Sequence, residues 1–387
     1  MIIKSILDTD FYKITQQFAV VKLYPITKVR YSFINRGKTP FPDDFAEKLR
    51  KEIKEMESLS LTKDEKMFLL NNYKFLDPPF IDYLSGYRFD SSEVGIIQDK
   101  DNLQISIEGL WSRTILWEVP LMAIISELYF KETNQKPISK EKRKENNISK
   151  CAIFKMNAMY YTDFGTRRRF SYNIQDELIE DFVKYSLHNE NFVGTSNVHF
   201  AHKYNVKAIG TMAHEFISMH GGIYGYNIAN EMTLENWNKV FKGELTVALT
   251  DTYTVDVFYK NFNKIHSKIF DLRQDSGDPF LFVDKTLSHF KKMNIDPLTK
   301  TIIFSDSLTT DSAVEINKYC RGKIKCSFGI GTNFTNNVGV TPLNIVVKLT
   351  EAKLENDWVP IIKLSDADGK HTGDEKEIEI CKHILKI

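Results

Sequence analysis

Cysteine is scarce in this chain, with four in 387 residues: Cys151, Cys320, Cys326 and Cys381. They fit no zinc-ligand spacing and are too few for a disulfide framework, which suits a reducing compartment. Net charge is almost absent as well, since 52 Lys and Arg face 51 Asp and Glu, 52 − 51 = +1. A non-specific nucleic-acid binder would carry a strong positive excess, so no nucleic-acid partner is expected, although a locally basic pocket is compatible. Long apolar runs are lacking too. The best candidate, Leu116 to Phe130, is broken by Glu118, Pro120 and Glu127, so no membrane partner is expected. The opening MIIKSILDTDF has neither the apolar core nor the small-residue cleavage site of a signal peptide. A cytoplasmic protein is the expectation. What the chain does have is 42% hydrophobic residues, enough to bury a sizeable core. Its length suits roughly two to three domains, or one barrel with a smaller module.

The first 130 residues are mixed. Asp8-Thr9-Asp10 has the composition of a cap for a short helix, because carboxylates and hydroxyls accept the orphan amides of a first turn. Val29 to Ile34 and Gln104 to Glu108 alternate like strands, Asp43 to Lys66 reads as exposed helices, and Ile115 to Phe130 reads as a largely buried helix. Lys131 to Lys150 is a polar, basic connection or helix, and its charge is a solvated face.

From Asn157 onward a short apolar run repeatedly ends in glycine, hydroxyl and charged residues and then yields to a helical stretch. These ends are FGTRRR (164–169), GTSN (194–197), GTMAHE (210–215), LTDTY (249–253), DLRQDSGD (271–278), SDS (305–307) and GIGTN (329–333). Helical stretches between them include a stripe from Ile174 to Leu187, Thr252 to Ile265 and Leu308 to Tyr319. Strands alternating with helices imply parallel βα units, and most spacings suit one unit each. The gap from Thr195 to Thr211 leaves room only for a very short crossover. Seven units in series favour an irregular (β/α) barrel, with every polar cluster at one mouth. Ile302-Ile303-Phe304 and Ile345-Val346-Val347 look like parallel strands buried on both faces.

Several clusters suit anions. The glycines of Gly329-Ile330-Gly331-Thr332-Asn333 would let backbone amides approach a phosphate, and Ser305-Asp306-Ser307 precedes a helix. Asp306 could instead hold a ribose hydroxyl or cap that helix. Arg167, Arg168 and Arg169 could offer a planar two-donor fork, with at least one of the three a solvated basic turn. Arg273 lies between Asp271 and Asp275, where a charge is costly unless used or paired. His214 and His220 are six residues apart, about 240° around a helix, so they cannot share one zinc. At a strand end, a neutral His214 could be a nucleophile or base, oriented through its second nitrogen by a carboxylate.

Taken in order, LDTDFYK, GTRRR, GTSNV, GTMAHE, DLRQDSGDP, FSDSL, GIGTN, VKLTE and IIKLSD resemble the nicotinate phosphoribosyltransferase family over nearly the whole chain. The resemblance implies an α/β protein: an irregular barrel over 131–354, and a second α/β domain built from 1–130 and completed by about 355–387. It also implies a homodimer with shared active sites. The activity implied is formation of nicotinate mononucleotide and pyrophosphate from nicotinate and 5-phosphoribosyl 1-pyrophosphate (PRPP), in NAD biosynthesis. ATP would be a co-substrate in a ligase-type coupling through a phosphohistidine at His214. Arg167 and Arg273 would hold the nicotinate carboxylate. Tyr12, from the partner subunit, and Phe164 would sandwich the pyridine ring, and the Gly210 backbone would line its pocket. Asp275 would serve the ribose or pyrophosphate, and Asp251 would orient His214. Ser305, Asp306, Gly329, Gly331 and Thr332 would hold the ribose 5-phosphate region. Mg²⁺ would be bound mainly through substrate phosphates, so no protein metal ligand is expected.

A nicotinamide-using relative carries aspartate at the third place of the GTSNV-like motif, where this chain has Ser196. A neutral hydroxyl there removes repulsion from a carboxylate, which favours nicotinate. The alternatives are nicotinamide or quinolinate as the base, a sugar-phosphate lyase with Lys348 or Lys363 as its catalytic lysine, and a non-catalytic binding protein.

Overall fold

The computed structural model describes residues 1–186, 191–367 and 369–387. Its strands, numbered along the chain, are β1 (Lys28–Asn35), β2 (Val94–Asp99), β3 (Asn102–Leu110), β4 (Tyr160–Asp163), β5 (Phe192–Thr195), β6 (Lys207–Ala208), β7 (Val247–Leu249), β8 (Asp271–Gln274), β9 (Thr301–Phe304), β10 (Lys325–Ile330), β11 (Ile345–Leu354) and β12 (Asp357–Pro360). The strands from β4 to β10 form one parallel sheet in the order β6-β5-β4-β10-β9-β8-β7. All seven polar clusters sit at the carboxyl ends of these strands, because a strand buried by its neighbours can expose polar groups only where it ends. The short crossover expected before Thr211 is the seven-residue helix Val198–Tyr204. No strand pairing joins β6 to β7 among the described residues, so the hydrogen bonding is that of a seven-stranded sheet with two edges.

The other sheet is antiparallel, in the order β12-β11-β1-β3-β2, and so combines both parts of the chain. Alternation was a sound guide to β1 and β3, whose burial alternates along much of each strand. Ile345-Val346-Val347 is a correction. It belongs to β11, which pairs antiparallel with β1 and β12. The apolar run reflects helices packed on this strand, Glu118–Glu132 and His214–Tyr224, and not membership of the parallel sheet. The C-terminal share of this sheet starts at Ile345.

The helix Glu118–Glu132 is buried along most of its length. Asp43–Lys66 contains the helix Phe45–Glu55, which hides Phe45, Leu49 and Ile53 and is amphipathic more than exposed. The stripe beginning at Ile174 forms the helix Tyr172–Ser186, with Leu178, Ile179 and Phe182 buried; Leu187 lies outside the described residues. Thr252–Ile265 breaks into two helices, Val255–Asn261 and Lys264–Ile269. Asp8 and Asp10 are not caps: the helix Phe11–Leu23 starts without a side-chain cap, and both carboxylates are drawn to other partners.

Candidate active site

The carboxyl ends of the parallel strands and part of β11 line an open cavity of about 960 Å³. Tyr12, Phe164, Arg167, His214, Arg273, Asp275, Ser305, Asp306, Gly331 and Thr332 all line it.

His214 opens the helix His214–Tyr224, where uncapped backbone amides favour a nearby anion. Its Nδ1 meets Thr252 Oγ1 at 2.9 Å and its Nε2 meets Asp275 Oδ2 at 3.2 Å. Asp251, expected to orient the ring, stands farther away, at 3.8 Å from the same Nε2. Asp251 is fully buried, and its Oδ2 accepts from Ser276 Oγ at 2.6 Å. Burial pushes His214 down to about 4, helped by the Lys363 charge and opposed by Asp251 and Asp275. The imidazole is therefore neutral at neutral pH, with a nucleophilic lone pair.

His214, Asp251 and Asp275 bring ligand-type atoms within 4.8 Å of one another. They suit Mg²⁺ poorly. Mg²⁺ prefers oxygen ligands, one donor is imidazole, and Asp275 Oδ1 is already taken by Arg273 and Ser305.

Arg273 forms a fork. Its Nε donates to Ser305 Oγ and its Nη2 to Asp275 Oδ1, each at 2.8 Å, while the guanidinium lies 5.7 Å from the Phe164 ring centroid. Burial alone would raise Asp275, but Arg273 and the contact with His214 hold its carboxyl well below the usual range. Arg167 faces two carboxylates, Asp10 at 3.9 Å and Glu118 at 3.6 Å. Arg168 also lines the cavity, and burial together with the Arg167 and Arg36 charges lowers it to about 10. Arg169 is not a solvated turn. It is fully buried and grips Asp8 with two hydrogen bonds of 2.7 and 2.9 Å.

Tyr12 lines the cavity. Gly210 and Gly329 act by lacking a side chain. A Cβ on Gly210 would stand 2.7 Å from the Tyr12 backbone nitrogen, and one on Gly329 would stand 2.3 Å from the Phe164 ring. Neither glycine lines the cavity itself; they let the two aromatic residues settle. Ser196 is buried and donates to Asp10 Oδ1 at 2.7 Å, so it reaches the cavity only through the carboxylate beside Arg167.

Ser305 is committed to Arg273 and Asp275, while Asp306 pairs with Lys370 at 2.9 Å. Gly331 and Thr332 border the cavity beside them. The lining is basic, with Arg36, Lys348, Lys363 and Lys370 adding to the arginines. Burial lowers Lys348 to about 8, with Glu118 opposing and the Lys363, Arg167 and Arg36 charges assisting. Lys348 lies within β11, not at the end of a parallel strand as a lyase lysine would.

Residues 159–387 match the Nicotinate phosphoribosyltransferase (NAPRTase) family, and residues 7–126 match the NAPRTase N-terminal domain. The chain belongs to the nicotinate phosphoribosyltransferase family. Within it, the enzyme of Desulforapulum autotrophicum is 50% identical over 387 residues, 99% of both chains. That of Chromohalobacter salexigens is 47% identical over 385 residues, covering 99% of this chain and 98% of its own. The crystal structure of the Porphyromonas gingivalis nicotinate phosphoribosyltransferase matches with a TM-score of 0.97 and 46% identity over 100% of both chains.

In this family member, sequence reasoning missed Thr252, Asp10, Glu118, Arg36 and Lys370. Thr252 and Asp10 lie inside the motifs LTDTY and LDTDFYK, but nothing in the spacing says which oxygen meets which nitrogen. Glu118 had a readable signal: it is a charge in an otherwise apolar stretch that the structure buries.

Proposed function

We propose that this family member makes nicotinate mononucleotide and pyrophosphate from nicotinate and PRPP, with ATP hydrolysis coupled through phosphorylation of His214. The observation that carries this reading is one cavity that brings Arg167 and Arg273 together with Tyr12, Phe164 and a neutral histidine at a helix start. Arg167 and Arg273 pair with the nicotinate carboxylate, and Tyr12 and Phe164 take the two faces of the ring. The ring nitrogen already has a lone pair, so the protein need not remove a proton. That nitrogen bonds to the ribose anomeric carbon as the bond to the pyrophosphate oxygen breaks. The transition state is a flat, oxocarbenium-like sugar between two anions, so catalysis consists of aligning the reactants and balancing charge.

Gly331, Thr332 and the Asp306–Lys370 pair serve the phosphoribose end, with Ser305 acting through Arg273. Asp275 keeps both Arg273 and His214 in place, and Asp251 adds negative charge behind the imidazole. Mg²⁺, held through the substrate phosphates, would supply charge neutralisation for the leaving pyrophosphate. The parallel sheet is read as an irregular barrel open between β6 and β7, and the antiparallel sheet as the centre of the second domain. The working state is a cytoplasmic homodimer.

ATP can shift the reaction only if phosphorylated and free enzyme differ in affinity for substrates or products. His214→Ala should keep slow PRPP-dependent turnover and lose the increase that ATP gives. It should also lose an acid-labile phosphoryl label transferred from the γ-position of ATP. A label or stimulation that survives the substitution refutes the phosphohistidine.

A further inference from the structure

Lys13 has no exposure at all, yet its ammonium meets two carboxylates: Glu118 Oε2 at 2.6 Å and Glu215 Oε2 at 2.8 Å. One carboxylate would neutralise a buried lysine, and a second buried one adds a desolvation cost. Glu215 is accounted for internally. Its Oε1 lies 3.2 Å from the Gln16 amide nitrogen in the amide orientation that satisfies both ends of that side chain. Glu118 is not. Its Oε1 stands 3.6 Å from Arg167 Nη1, its one ion-pair partner among the described residues, and both residues line the cavity. The other carboxylate near Arg167, Asp10, sits 3.9 Å from Nε and is held by Ser196. The guanidinium is thus approached from both its Nε and Nη1 sides. Held between two carboxylates at ion-pair distance, the guanidinium plane is fixed in one orientation, and planar recognition of a carboxylate depends on that orientation.

We propose that Glu118 is a positioning residue for base recognition: anchored by Lys13 on one oxygen, it turns the other to Arg167 and fixes the orientation in which that guanidinium meets a monocarboxylate base. This rests on the proposed function. Three elements hold the arrangement together, since Lys13 belongs to the helix Phe11–Leu23, Glu118 to Glu118–Glu132 and Glu215 to His214–Tyr224.

The test is steady-state kinetics of Glu118→Gln, which keeps the shape and removes the charge. The KM for nicotinate should rise about tenfold, the loss of roughly one good charge-assisted contact. The KM for PRPP and kcat should stay within about twofold. In an Arg167→Lys background, Glu118→Gln should add little, because it acts through the arginine. Glu118→Asp, which keeps a charge for Lys13 but withdraws it from Arg167, should reproduce the nicotinate-specific change if the glutamine variant does not fold. An unmoved nicotinate KM, equal rises for both substrates, or effects that multiply fully with Arg167→Lys would overturn the role of Glu118. A wild-type protein without nicotinate turnover would overturn the proposed function and this inference together.

Discussion

His214 loses its proton to burial and to the neighbouring Lys363 charge, and both effects can be read on the ring itself. Titration followed by NMR should place its midpoint near 4; a midpoint near 6.5 contradicts the buried, neutral imidazole. The same shift affects stability. An unfolded ring binds a proton near 6.5 and the folded one near 4, so acidification through that window favours the unfolded chain. The contribution is complete above about 6.5 and is lost progressively toward 4. Chemical denaturation at pH 7.5 and 5 should therefore show a smaller loss of stability in His214→Gln than in wild type. Arg273 is sensitive to a different change. Lysine cannot reproduce its fork to Ser305 and Asp275, so Arg273→Lys should raise the nicotinate KM roughly thirtyfold, about 2 kcal/mol. Residue types were legible from sequence because a charge at a strand end needs a partner. Partnerships were not: Asp251 and Asp275 stand at equivalent strand ends, and only folding decides that Asp275 is nearer to His214.

Between elements, the main joint is the N-terminal segment on the parallel sheet. Asp8 and Arg169, both without exposure, clamp the chain ahead of the helix Phe11–Leu23 to the loop after β4. Phe11 N–H also donates to Ser196 C=O. Asp8→Asn should destabilise the protein by about 3–5 kcal/mol, since it leaves a buried guanidinium uncompensated. Thermal unfolding checks this, and a loss under about 1 kcal/mol counts against the clamp. The strand ends were plain in the sequence because glycine and hydroxyl residues interrupt apolar runs there. The identity of β11 was hidden, since Ile345-Val346-Val347 is equally apolar whether helices or strands cover it. Asp8 and Asp10 misled for a related reason. A capping composition and a buried ion-pair composition are the same letters.

Across the whole molecule, a nearly neutral chain gathers Arg36, Arg167, Arg168, Lys348, Lys363 and Lys370 at one cavity. The overall composition could not reveal this, because acids elsewhere cancel the sum. Inorganic pyrophosphate should raise the midpoint of thermal unfolding, by mass action on the folded state, and added salt should weaken the rise. A pyrophosphate effect that is absent, or indifferent to salt, argues against the cavity as an anion site. Base selectivity is measured by mononucleotide formation from PRPP and Mg²⁺ with nicotinate, nicotinamide or quinolinate supplied in parallel. Turnover is expected with nicotinate alone, accompanied by equal release of pyrophosphate. Turnover with nicotinamide or quinolinate at a comparable rate would contradict the carboxylate clamp proposed for Arg167 and Arg273.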